Sequence, residues 1–96
     1  MEFTELLKKV KSGLGIAGEF QDDTLTIYID EVKEFMKDAG VSEAILNSSS
    51  SVGCIMKGVN DLMNLAPGAS KFSPYFEWRV AQLAIKSANA EGEANV

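Results

Sequence analysis

The residues of this chain best equipped for chemistry are its acids. Asp22 stands beside Asp23, and Asp30 and Glu34 fall four apart, a spacing that puts both carboxylates on one side of a helix. Clustered oxygens are what a hard cation such as magnesium or calcium requires. A calcium loop, however, needs ligands at several regular offsets around a central glycine, and these acids supply no such series. They are read as a capping pair and a solvated helix face. An enzyme site would also need a nucleophile, a base and a pocket, and none is signalled. The chain contains no histidine, which removes the commonest general base together with the commonest transition-metal ligand. Its single cysteine, Cys54, has no partner for an internal disulfide and reads as a small packing residue in an apolar run. The expectation is a non-enzymatic protein without cofactor or metal.

Two further patterns have specific alternatives. Gly13-Leu-Gly-Ile-Ala-Gly18 spells G-x-G-x-x-G, but it follows a helical stretch and no βαβ unit surrounds it, so it is a loop and not a dinucleotide site. Lys8, Lys9 and Lys11 form a small basic patch that Glu2 and Glu5 dilute, and it reads as a solvated helix end. Net charge is −5. That disfavours a protein that grips nucleic acid, because such binding draws on Lys and Arg against phosphate. The charge is concentrated: residues 19–47 hold eight acids against two lysines, and the rest of the chain is nearly balanced.

The elements that position these groups are helices. At 96 residues, 46% hydrophobic and 24% charged, the chain has the size and composition of one globular domain. No apolar run approaches the roughly 20 residues that cross a bilayer, and acids occupy the N-terminal stretch where a signal peptide wants basic residues. A soluble chain, intracellular when made and without a membrane partner, is expected. The fold class is all-α, a small bundle of about four helices. The first is predicted over residues 3–11, with Phe3, Leu6, Leu7 and Val10 on one stripe, and is stopped by the glycines at 13 and 15. The second spans 23–39 with Asp22 or Asp23 as N-cap, a stripe of Leu25, Tyr28, Ile29, Val32, Phe35, Met36 and Ala39, and Gly40 as its end. A short turn of helix capped by Ser42 precedes a serine-rich break at 47–51, whose last serines cap a third helix over 52–65. After a loop at 66–72, Ser73 caps and Pro74 opens a fourth helix running to about 88 or slightly beyond. Residues 89–96 are small and polar and are expected to form a flexible tail.

Two faces exceed what one small core consumes. Four of the eight aromatic residues lie between positions 72 and 78. At about 100° per residue, Phe76, Val80, Leu83 and Ser87 share one side of the fourth helix, while Trp78, Ala81 and Ile85 lie opposite. The opposite face is either a second buried face of the protomer or a subunit interface, where tryptophan and the adjacent Arg79 are favoured anchors. On the third helix, Cys54, Gly58, Asp61 and Leu65 form a narrow seam: either it permits close approach of another helix, which joins Cys54, Gly58 and Leu65 to the candidate interface, or the glycine is simply tolerated there.

The segment from Phe20 through Tyr28-Ile29 and Val32 to Val41, an acidic loop leading into a helix with its apolar residues at core spacing, resembles the opening of tailed-phage head-tail connector (adaptor) proteins. Gly58-Val-Asn-Asp-Leu-Met-Asn-Leu, then Gly68-Ala-Ser-Lys-Phe-Ser-Pro-Tyr-Phe, then Arg79-Val-Ala-Gln-Leu-Ala is similar to versions from phages and prophages of Gram-positive bacteria. The resemblance covers residues 19–88. It implies a structural virion protein that forms a homo-oligomeric ring, with the portal's expected twelvefold symmetry, between the portal protein and the stopper or tail-completion protein. Such a ring would sit at the head-tail interface of the virion after assembly in the host cytoplasm, with double-stranded DNA passing through it without sequence-specific binding. A closed ring is head-to-tail, so each protomer needs two different complementary faces. In that setting Asp30, Glu31, Glu34 and Asp38 are either channel-lining acids that repel passing phosphates or an exterior solvated face. Pro67, Gly68, Ser70 and Lys71 are candidates for contact with portal or stopper. The competing reading is a small helical regulatory or dimerisation module that binds a protein partner.

Overall fold

The computed structural model describes residues 1–65 and 72–94, with side chains described as far as residue 90. Five α-helices follow one another: α1 (Phe3–Leu14), α2 (Asp22–Asp38), the single-turn α3 (Glu43–Leu46), α4 (Val52–Met63) and α5 (Pro74–Ala94), with a 3₁₀ turn at Ser49–Ser51 leading into α4. Among the described residues there is no strand. The expected all-α class stands, with α3 as a fifth, minor helix.

Helix ends follow local chemistry. At the end of α1, Gly15 takes φ 71°, its N–H donates to Ser12 O, and Ile16 N–H donates to Lys11 O at 2.9 Å. That pair of bonds is a Schellman cap, and the residue in the left-handed position needs the freedom of glycine. Gly40 at φ 105° does the same after α2, with Val41 N–H donating to Met36 O at 3.0 Å while the Val41 and Met36 side chains are buried together. Ser42 caps α3 by accepting from Ile45 N–H, and Ser73 caps α5 by accepting from Phe76 N–H.

Other ends depart from expectation. Neither Asp22 nor Asp23 is the N-cap of α2; both lie in its first turn, where a carboxylate still favours the helix dipole. Asp22 instead meets Lys11 Nζ at 2.8 Å, and Lys11 also donates to Gly18 O, so the connection between α1 and α2 is fastened by Lys11. Ser51 stands at the N-cap position of α4, as expected of the last serines, but its side chain makes no capping hydrogen bond there. Ser48 caps the 3₁₀ turn, and the buried Ser51 donates its hydroxyl to Leu46 O at 2.7 Å, satisfying a polar group that would otherwise be costly to bury. Gly13 lies within α1 with the Met56 side chain of α4 seated against it, and a Cβ there would displace that flexible side chain. Helix α5 continues to Ala94, beyond the expected end at 88. Ala88, Ala90, Glu91, Glu93 and Ala94 are strong helix formers, and Gly92 costs about 1 kcal/mol without forcing a stop.

The core is a single cluster to which every helix contributes: Leu6 and Val10 of α1, Leu25, Ile29, Val32 and Met36 of α2, Leu46 of α3, Cys54, Ile55 and Val59 of α4, and Phe76, Val80 and Leu83 of α5. Helix α4 is its axis, packing against α1, α2 and α5. Phe35, Phe72 and Phe76 stack at centroid distances of 4.4–5.5 Å and close one end. Ser87, buried on α5, accepts from Ser42 N–H at 2.9 Å and donates to Leu83 O at 2.8 Å, so the far half of α5 is tied to the α2–α3 junction. The protomer is thin, 48 × 31 × 17 Å along its principal axes, so the helices that form its core also present their outer sides.

Candidate assembly surfaces

Helix α5 divides cleanly. Phe76, Val80, Leu83 and Ser87 are all buried, as their shared side requires. On the opposite side Trp78 is 57% exposed and Ile85 62%, with Ala81 exposed between them and Tyr75, 58% exposed, one turn before. Tyr75 and Trp78 lie 6.0 Å apart by ring centroids. Large apolar side chains at half exposure or more, gathered along one strip, are unusual for a surface that meets only water. Arg79 and Lys86 border the strip; Arg79 Nη1 donates to Gln82 Oε1 at 3.0 Å, and Lys86 Nζ lies 3.4 Å from Ser50 Oγ.

The seam on α4 resolves differently. Cys54 and Gly58 are buried inside the protomer. A Cβ on Gly58 would lie 2.6 Å from Phe76 Cε1 and 2.9 Å from both methyls of Val32, so the close-approaching helices are α2 and α5 of the same chain. The reading of Cys54 and Gly58 as contacts to a neighbouring subunit is therefore replaced by an internal one. Small residues mark a close crossing, but their spacing does not say whose helix crosses. Burial pushes the Cys54 thiol up to about 11, against a smaller opposing effect from Arg79, which leaves it protonated and unreactive at neutral pH.

Asp61 of the same seam is also occupied internally. It accepts from Ser73 N–H at 3.0 Å and from Ser73 Oγ at 2.8 Å, and pairs with Lys57 Nζ at 3.0 Å. Burial acts to raise its carboxyl, but the bonds from Ser73 and Lys57 outweigh that and hold it below its ordinary value. Asp61 thus fastens the C-terminal part of α4 to the cap of α5. Leu65, at the end of the seam, remains exposed, as does Met63.

On α2, Asp30, Glu31, Glu34 and Asp38 are all exposed. Lys37 lies 3.8 Å from Glu34 and 3.2 Å from Glu43, and the hydrogen bond to Glu43 is the main reason its ammonium is held above its usual value. Two exposed apolar residues not singled out from the sequence lie in α2 or just ahead of it. Ile27 is 66% exposed among the acids, and Phe20, just ahead of the helix, is 84% exposed. The signal for Ile27 is its phase: it falls opposite the buried stripe of Leu25, Ile29 and Val32. Among the described residues no group of His, Cys, Asp or Glu could hold a metal ion, and no helix is long and apolar enough to cross a membrane. Pro67, Gly68, Ser70 and Lys71 lie outside the described residues.

A family model of the phage gp6-like head-tail connector proteins matches residues 4–95. The chain belongs to that family. Neither the curated proteins nor the solved structures yield a significant match to it. Membership of a structural phage family accords with a surface whose notable features are apolar strips and charge. The match also covers more of the chain than the motifs in residues 19–88, because it takes in all of α5 and all of α1 but Phe3.

Proposed function

We propose that this connector assembles into a closed homo-oligomeric ring at the head-tail junction of the virion, seated between the portal protein and the stopper or tail-completion protein and extending the channel through which double-stranded DNA passes. The observation that carries the reading is the exposed strip of Tyr75, Trp78, Ala81 and Ile85 on a helix whose other side is fully used by the protomer core. A thin protomer gains most from lateral neighbours, since each contact removes apolar surface that its own core cannot reach. The C-terminal half of the acidic side of α2, Glu34 and Asp38, has no large exposed apolar side chain and suits the channel wall, where carboxylates keep DNA phosphates from adhering. The segment with Pro67, Gly68, Ser70 and Lys71 is the proposed contact to portal or stopper, on the strength of the family-like motif that contains it.

Mass measurement across a concentration series, followed by electron microscopy of the large species, tests the ring. Wild-type protein should convert from monomer to a discrete multi-subunit species that images as a ring, and Trp78→Glu should abolish that species while helicity is unchanged. A stable dimer that never grows, insensitive to Trp78→Glu, sinks the proposal and favours a dimerisation module.

A further inference from the structure

A head-to-tail ring needs two different surfaces on each protomer, and the strip on α5 is only one of them. We infer that its partner is the outer side of the N-terminal half of α2, so that Trp78, Ala81 and Ile85 of one protomer pack against Phe20 and Ile27 of a second copy of this chain. The inference rests on the ring proposed above and assigns the two faces that meet in it.

Three observations select this pairing. Apart from Met1 and the pair Met63 and Leu65 at the end of α4, the exposed large apolar side chains among the described residues fall into two groups, Tyr75, Trp78 and Ile85 on one side and Phe20 and Ile27 on the other. Both groups point away from the core: Trp78 and Ile85 lie opposite Phe76 and Val80, and Ile27 lies opposite Leu25, Ile29 and Val32. They are two separate strips on two different helices, the pair of unlike surfaces that a head-to-tail contact demands.

Charge supplies the third observation. By helical phase Arg79 and Lys86 flank the α5 strip on its Tyr75 side and Glu77 flanks it beside Ala81, and the two cations also reach Gln82 and Ser50 of their own chain. Around Ile27 stand Asp23, Asp30 and Glu31, none of which has an ion-pair partner within the described part of the protomer, whereas Asp22 is taken by Lys11 and Lys33 lies toward the flank. A basic-rimmed apolar strip set against an acid-rimmed one is complementary, whereas α5 against α5 or α2 against α2 would place like charges together. Glu34 and Asp38 lie one to two turns further on and are left free for the channel.

The pairing is read by disulfide trapping, because Cys54 is buried and its thiol stays protonated. In the double variant Ile27→Cys with Ala81→Cys, mild oxidation should give a ladder of cross-linked multimers on a non-reducing gel, since every protomer offers one thiol to each neighbour. Ala81→Cys alone and Ile27→Cys alone should stay uncross-linked. Dimers from either single variant would show a two-fold contact and overturn the pairing. Absence of a ladder while the wild type forms its multi-subunit species would overturn the pairing and leave the ring standing; a wild type that never exceeds a dimer removes the ring itself. In the charge arm, Lys86→Glu should raise the concentration needed for assembly by about tenfold, and adding Glu31→Lys to the same chain should recover most of it; no recovery counts against the proposed rims.

Discussion

The two sides of α5 carry similar side chains to opposite ends. Phe76 and Trp78 are two residues apart and both large aromatics, yet one is sealed in the core and the other more than half exposed. The difference teaches that apolar content does not separate folding from assembly in this chain; phase along the helix does. What lies in phase with Val80 and Leu83 holds the fold together, and what lies in phase with Ile85 is left exposed.

Truncating each side in turn gives the largest expected contrast. Phe76→Ala removes a buried ring that packs on Phe35 and Phe72, and should cost about 3–5 kcal/mol, enough to unfold much of a domain this small at physiological temperature. Trp78→Ala should leave thermal unfolding of the monomer within about 0.5 kcal/mol of wild type and act only on assembly. Melting curves recorded at a concentration below assembly measure both. If Trp78→Ala destabilises the monomer as Phe76→Ala does, the exposed strip belongs to the fold and the comparison breaks.

The same division runs along α4 and is sharpened by two glycines. Gly58 is pinned between Val32 and Phe76, so Gly58→Ala should destabilise by about 1–3 kcal/mol through overpacking, even after alanine's better helix propensity is counted. At Gly53 an added Cβ would meet nothing within 4 Å, and Gly53→Ala should be neutral or stabilising by up to about 1 kcal/mol. Urea midpoints of the two variants decide it. Shifts of opposite sign would make α4 an inner element at one residue and an outer one five positions earlier.

Much of this is legible without coordinates, for a physical reason. A helix repeats every 3.6 residues, so the core sides of α2, α4 and α5 can be drawn from Leu25 to Met36, Val52 to Val59 and Phe76 to Leu83 on the sequence alone. Glycines and capping serines announce the ends at Gly40, Ser42 and Ser73 because each supplies a backbone conformation or an acceptor that other residues lack. What cannot be read is which surface meets which. Gly58 signals a close crossing but not that the crossing helices are its own. Asp22 has the chemistry of a cap and instead pairs with Lys11, eleven positions away, because a charge partner brought near by the fold outcompetes a local backbone role. Ile27 stands out of phase with its stripe, but that phase alone does not say that it, like Phe20 ahead of the helix, is left exposed in the fold.

Acids give the smallest contrast, and a pH series reads it. Burial works to raise the carboxyl of Asp61, yet its folded-state pKa lies below its ordinary 3.8 because Ser73 and Lys57 stabilise the charged form. A depressed carboxyl contributes stability that is fully present above the unfolded value and is lost as pH falls through the folded one, so the contribution holds at neutral pH and disappears in the window below about pH 4. Asp61→Asn should therefore lower the urea midpoint at pH 7, with the gap to wild type narrowing by about pH 3. Exposed Glu34 and Asp38 lack such an arrangement of donors, and Asp38→Asn should shift the midpoint little at either pH. A gap for Asp61→Asn that stays constant through the acid window would mean that the carboxylate's charge contributes nothing, and that the joint between α4 and the cap of α5 is held by shape alone.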